Sequence, residues 1–198
     1  IAFSEALIKS NIRIPFVANS RIDLDLATMK VMKAAGCRQL CVGFESGNQE
    51  ILNEIRKGIK IDKMETFMEN ARKAGILIHG CFMIGFPGET HQTVQQTIEL
   101  ALRLNPDTVQ FYPVMVYPGT EAYLDYMNKG WITATDFREW LTPAGLHNCV
   151  IRNNVFSPAD LVKLCDEARR RFYLRPRYMA YKLLQMVMRT SLAFRTIK

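Results

Sequence analysis

At 198 residues, with 48% apolar and 23% charged residues, the chain has ordinary globular composition, which excludes global disorder. No apolar run reaches the roughly 20 residues of a membrane-spanning helix. Neither a secretory signal nor a disulfide framework is expected from its start and its five scattered cysteines, so a reducing, cytoplasmic setting is. The net charge of +7 sits in the tail: nine Lys/Arg and no acidic residue follow Ala168, against 17 basic and 19 acidic residues before it. A nucleic-acid footprint over the whole protein is therefore not expected.

In chain order, the pattern predicts a helix over 4–10 and a short strand at 16–18. A helix over 23–35 follows, with Leu26, Met29, Met32 and Ala35 on one stripe and Gly36 at its stop. Residues 39–44 read as a strand ending at Glu45, and 48–56 as a helix. Another helix starts at Asp62, where Glu65 resembles a capping box, carries Met64, Phe67, Met68 and Ala71, and stops at Gly75. The near-continuous apolar run 76–84 predicts a parallel strand covered on both faces. Thr90 caps a helix carrying Val94, Ile98, Ala101 and Leu102, which Asn105-Pro106-Asp107 breaks. Residues 108–116 are a strand, and a helix ends near Gly130. Four strand–helix units mean α/β architecture with parallel strands and right-handed crossovers. Because a closed barrel usually takes eight, this is a small open sheet or the second half of a barrel.

Ligands of such folds meet the carboxyl ends of the strands. Four loops qualify: 18–23, 43–47, 85–90 and 117–120. Each mixes glycine or small residues with a charge or hydroxyl, and charges such as Arg21 and Glu45 suit a half-buried mouth better than a core. Turn chemistry explains one such loop; four at one end favour a site.

Ala18-Asn19-Ser20-Arg21-Ile22-Asp23, the stretch from Val42 to Leu52 (Val-Gly-Phe-Glu-Ser-Gly-Asn-Gln-Glu-Ile-Leu), and Phe82-Met83-Ile84-Gly85-Phe86-Pro87-Gly88-Glu89-Thr90 resemble the third, fourth and fifth strands of the radical S-adenosylmethionine superfamily. Within it they resemble the cobalamin-binding branch, similar to anaerobic magnesium-protoporphyrin ester cyclases and hopanoid-biosynthesis proteins. Tyr117-Pro118-Gly119-Thr120-Glu121-Ala122-Tyr123 resembles the loop after the sixth strand, and 170–178 the basic segment beyond the barrel.

This resemblance implies a partial (β/α)6 TIM-like barrel, with its C-terminal half over 1–130 and a mostly helical, basic extension over 131–198. It implies a 4Fe–4S cluster that reduces S-adenosylmethionine to methionine and a 5′-deoxyadenosyl radical. Cobalamin is implied by the branch alone. By matching position, Glu45 contacts the ribose hydroxyls, with Ser46 beside it. Lys57 pairs with the methionine carboxylate, Arg21 being a second candidate. Gly85, Phe86 and Pro87 line the adenine pocket with Tyr112 beside them. Cys81 matches a polar-contact position and reads as packing.

The family's C-x₃-C-x₂-C cluster loop has no match. Cys37-Arg38-Gln39-Leu40-Cys41 fits its first two positions, but Val42, Gly43 and Phe44 follow, and three thiolates are needed. Both cysteines read as structural, as do Cys149 and Cys165, and the metal ligands are expected outside this chain. The chain is thus expected to be a fragment, inactive alone, that begins just after the family's second strand. Its expected partners are the missing N-terminal portion or a complementary chain, and a small-molecule or lipid-like substrate. The full-length enzyme would be bacterial and would perform methyl transfer, cyclisation or another radical step. A catalytically inactive S-adenosylmethionine-binding module and a structural half-barrel completing a separate cluster-bearing chain are the alternatives.

His79 is expected to point into the barrel or toward a helix and reads as a hydrogen-bonded core histidine rather than a ligand, His91 reads as exposed, and His147 has no assigned role. No arrangement suited to hydrolysis is present. Residues 177–194 read as an apolar, aromatic and basic helix. Either it rests on an anionic membrane, peripheral to the inner membrane, or it packs against further domains of the enzyme.

Overall fold

Strands β1 (Phe16–Ser20), β2 (Cys37–Glu45), β3 (Leu77–Ile84) and β4 (Thr108–Pro113) lie side by side in chain order, every pair parallel. The computed structural model describes residues 1–188. Helices α1 (Ala2–Lys9), α2 (Leu26–Ala34), α3 (Gln49–Glu54), α4 (Ile61–Ala74), α5 (His91–Leu104), α6 (Glu121–Asn128), α7 (Pro158–Tyr173) and α8 (Pro176–Met188) complete it.

Side chains alternate across a strand, and here the two sets differ. Leu40, Val42 and Phe44 of β2, Ile78, Phe82 and Ile84 of β3, and Val109 and Phe111 of β4 are buried. Phe44, Phe82 and Phe111 stack ring on ring at 5.4 and 5.3 Å. Helices α2, α4, α5 and α7 contact the sheet and one another in series. The other set, Gln39, Cys41, Glu45, His79, Cys81, Met83, Gln110 and Tyr112, is half-buried or exposed. Among the described residues the sheet is therefore covered on one face only, and the expectation that 76–84 is covered on both faces is corrected. An unbroken apolar run hides an alternation when its open-face residues are Cys, Met and Leu. A parallel sheet with one open face is the half-barrel alternative rather than a doubly wound one.

Helix α4 buries Met64, Phe67, Met68 and Ala71 as spaced, and Gly75 ends it at φ 71°. Its start differs from expectation. Lys60 is the N-cap and makes no side-chain cap; the Gln49 side chain accepts from Ile61 N–H at 3.2 Å instead, and Glu65 pairs with Arg103 at 2.7 Å. True capping boxes stand at Thr90/Thr93 and Ser157/Asp160. Strand β4 stops at Pro113, three residues short of the expected end.

Helix α7 buries Leu161, Cys165, Ala168 and Phe172 and closes the β4 edge. The Tyr173 hydroxyl donates to Val109 O at 2.6 Å and Val109 N–H donates to it at 2.8 Å, while Arg169 donates to Phe111 O at 2.6 Å. These side chains take the bonds that a further strand would need. The opposite edge strand, β1, leaves Val17 69% exposed. Tyr173→Phe keeps the ring packing against Phe172 and Tyr178 but orphans both Val109 groups. Urea unfolding should show a loss of about 1–2 kcal/mol.

The start of α8 is anchored by the Tyr178 hydroxyl on Asp107 O at 2.8 Å, whereas Met179, Tyr181, Leu183 and Leu184 are exposed. The tail residues Arg189, Leu192, Phe194, Arg195 and Lys198 lie outside the described residues. No described helix is long and apolar enough to cross a membrane.

Candidate functional site

Strand β2 ends in an irregularity. Its register against β3 shifts between Gly43 and Glu45, and Glu45 has φ 65°, a left-handed conformation that costs a non-glycine residue about 1–2 kcal/mol. Bulges at strand ends re-aim side chains. Here the Glu45 carboxylate accepts from Lys57 Nζ at 2.6 Å, with the two side chains 15% and 29% exposed. Gly43 makes the berth: a methyl there would run into Glu45 Oε1 and stand 3.1 Å from Lys57 Nζ. Lys57 is delivered by the turn after α3, its N–H bonded to Leu52 O at 3.0 Å.

The loop behind Glu45 is stapled to α5. Gly47 N–H donates to Thr97 Oγ1 at 2.9 Å, and Ser46 Oγ lies 3.3 Å from that same atom and accepts from Asn48 N–H at 3.2 Å. Asn48 caps α3 through Ile51 N–H and donates to Gln96 at 2.8 Å. Ser46 is fully buried in this network. Its hydroxyl faces α5.

On the neighbouring strand, the turn after β3 is held from three directions. Glu89 Oε2 accepts from the N–H groups of Gly85 and Phe86 at 2.5 and 3.1 Å. Tyr126 donates to Gly85 O at 2.8 Å, and Asn153 donates to Phe86 O at 3.3 Å. Phe86 is buried and Pro87 half-buried, so this loop offers backbone and the proline ring more than the Phe86 ring. Burial outweighs the two N–H bonds and pushes the Glu89 carboxyl up to about 7.

Tyr112 stands exposed on the open face of β4, paired in register with Met83. Arg21 pairs with Asp23 at 3.4 Å and lines a cavity of about 440 Å³ with Gly58, Lys60 and Phe67, not with Glu45. The structure thus joins Glu45 with Lys57 at the end of β2, beside the Gly85–Pro87 turn at the end of β3.

Lower on the open face, Cys41 and Cys81 bring their sulfurs to 3.6 Å, and His79 Nδ1 lies 2.7 Å from Thr108 Oγ1. Burial, then the neighbouring Cys41, pushes the Cys81 thiol up to about 12, and burial lowers His79. Neither cysteine is core packing, which corrects both expectations; His79 is hydrogen-bonded as expected but half-buried on the open face, the barrel side, rather than in the core. Thr97, Glu89 and Asn153 had no assigned role in the sequence reading. Cys37 is 1% exposed and its thiol is raised by burial. No third sulfur joins Cys37 and Cys41 in a loop, so the residues of this chain do not fit a 4Fe–4S cluster.

Residues 1–101 match the model of the radical SAM superfamily. The chain is 32% identical over 167 residues to an uncharacterized methyltransferase of Pyrococcus horikoshii, covering 84% of this chain and 36% of that protein. It is 28% identical over 179 residues to the bacteriochlorophyllide d C-8(2)-methyltransferase of Chlorobaculum tepidum, covering 86% and 38%. Its fold is similar to that of TsrM from Kitasatospora setae, a radical S-adenosylmethionine methyltransferase solved with cobalamin and a 4Fe–4S cluster bound, with TM-score 0.60 and 20% identity over 86% of this chain and 34% of that one. The chain therefore spans little more than a third of the relatives it matches, and it belongs to the radical SAM superfamily of enzymes.

Proposed function

We propose that this chain forms the S-adenosylmethionine-gripping rim of a cobalamin-dependent radical methyltransferase, with Glu45 on the ribose hydroxyls and Lys57 on the methionine carboxylate. The bulged, strained placement of Glu45 against Lys57 carries this reading. A carboxylate accepts from two vicinal hydroxyls, and an ammonium answers a carboxylate. A strained residue fixed by its surroundings is a mark of a binding site. Bound there, S-adenosylmethionine supplies a sulfonium whose carbon–sulfur bonds are the source of a methyl group or a radical. The chain's own residues position it: the Thr97 staple fixes Glu45, and the Glu89 clamp fixes the Gly85–Pro87 turn against which the adenine would lie. Arg21 and Tyr112 remain flanking contacts in this reading, and Ser46 a support.

The open face of the sheet and the unsealed β1 edge support completion of the barrel by further strands beyond β1. The relatives named as methyltransferases, one acting on a bacteriochlorophyllide, support methyl transfer to a large hydrophobic substrate. The exposed apolar side chains of α8 suit contact with the rest of the enzyme. The Lys182 ammonium, which lies 5.4 and 5.7 Å from the Tyr178 and Tyr181 ring centres, also suits an anionic membrane surface as a second reading.

Calorimetric titration of S-adenosylmethionine into the protein tests the rim. Glu45→Gln and Lys57→Met should each weaken binding roughly tenfold to a hundredfold, as expected for a lost charge-assisted bond. Unchanged affinity in both variants, with unfolding midpoints like the parent's, would remove Glu45 and Lys57 from the site.

A further inference from the structure

Two strands place three soft or borderline metal ligands on one patch of the open face. Cys41 of β2 is in register with His79 of β3, and Cys81 is two residues beyond His79. Residues i and i+2 of a strand share a face, and a cross-strand partner lies about 5 Å away. The backbone alone therefore gathers the three side chains. One ligand atom from each lies within 4.8 Å of the others.

The spacing of the two sulfurs matches a tetrahedral ion. Zinc–sulfur bonds of about 2.3 Å at a tetrahedral angle set two sulfurs roughly 3.8 Å apart, and the Cys41 and Cys81 sulfurs are 3.6 Å apart. The third ligand is steadied as metal-bound histidines are: Nδ1 of His79 lies 2.7 Å from Thr108 Oγ1, and in the tautomer in which Nδ1–H donates to that hydroxyl, Nε2 keeps its lone pair for a metal. The other cysteines do not compete. Cys37 and Cys165 are buried in the core, and Cys149 bonds to Ile151 O at 3.6 Å.

We infer that Cys41, His79 and Cys81 form a three-ligand site for a thiophilic d¹⁰ cation, zinc being the ion tested, with the fourth position open to the concave side of the sheet. Water or a substrate heteroatom completes the tetrahedron there. A set of two sulfurs and one nitrogen with an open fourth position is the donor set of catalytic rather than structural zinc. The site adjoins the Glu45–Lys57 pair, since Cys81 is in register with Gly43 and Gly43 backs both of those side chains, but its ligands are different residues and the inference does not rest on S-adenosylmethionine binding.

Cobalt(II), a spectroscopic stand-in for zinc, tests it on protein purified anaerobically with its thiols reduced. The parent should take up one more equivalent of cobalt than Cys41→Ser/Cys81→Ser. The difference spectrum should carry a thiolate-to-cobalt charge-transfer band and intense tetrahedral d–d bands that zinc abolishes. His79→Ala and Thr108→Val should each weaken zinc binding roughly tenfold to a hundredfold in competition with a chromophoric chelator, and Cys165→Ser should leave it unchanged. Equal cobalt uptake by the parent and the double variant overturns the site, leaving two thiols that share a weak hydrogen bond. If the double variant does not fold, the parent spectrum decides: a cobalt complex without a thiolate band, or one that Cys81→Ser leaves intact, overturns it equally.

Discussion

Gly47→Ala should cost about 3 kcal/mol of stability or more, the upper part of the range for overpacking a filled interior. The added methyl would overlap the Gln96 carbonyl and Thr97 Cα, which are backbone atoms of α5. A flexible side chain would swing aside, but a helix backbone does not, so either the loop behind Glu45 or α5 itself must move. Movement also breaks the Gly47–Thr97 and Asn48–Gln96 bonds. For a domain of this size the midpoint of thermal unfolding should fall by about 6–12 °C. Gly43→Ala is the informative contrast. Its methyl meets the ends of the Glu45 and Lys57 side chains, which can move at little cost in stability but then leave their berth. Unfolding and S-adenosylmethionine titration, measured on both variants, should separate them: Gly47→Ala fails mainly in stability, Gly43→Ala mainly in binding. Near-parental unfolding of Gly47→Ala would show that the loop does not rest on α5 as closely as described.

What was legible beforehand follows from the kind of signal each residue carries. The strand–helix alternation, the Met64–Ala71 stripe and the Thr90 cap are local patterns, and the structure holds each of them. Glu45 and Lys57 were nameable because they stand in motif positions, and their meeting needed only the short α3 between them. The Cys41–His79–Cys81 patch was not legible, because three residues from two strands, 40 positions apart at the sulfurs, converge only once the register is known. The spacing of Cys41 within an apolar run says core, and only the open face says otherwise. Ser46 lies just past the end of β2, and its buried hydroxyl turns toward Thr97, a contact with α5 that its place next to Glu45 in the motif does not reveal. The capping box read at Asp62 and Glu65 lost to a tertiary contact, since the Gln49 side chain reached the same helix end from another element.

Glu89 should make the protein lose stability as the solution becomes more alkaline. It is 1% exposed, and among the described residues its Oε1 has no hydrogen-bond partner. Its carboxyl is raised from 4.5 to about 7 in the folded protein, by burial first, against the opposing pull of the Gly85 and Phe86 N–H groups. Between those two values the folded chain holds a proton that the unfolded chain has released, so stability falls as pH rises through that window. The loss is complete above about pH 7 and amounts to about 3 kcal/mol. Glu89→Gln cannot ionise, and its carbonyl oxygen can accept from the same two N–H groups. Urea unfolding of parent and variant at pH values from about 5 to about 8 isolates the effect, because every other titrating group cancels in the difference. The variant should be close to the parent at the acid end and more stable by up to about 3 kcal/mol at the alkaline end. A difference that stays constant with pH would mean that Glu89 is ionised throughout and that its free oxygen finds a partner in solution. The same titration bears on the rim, since the carboxyl that ionises is the one holding the Gly85–Phe86 turn. Affinity for S-adenosylmethionine should therefore change over the same pH window in the parent and stay flat in the variant.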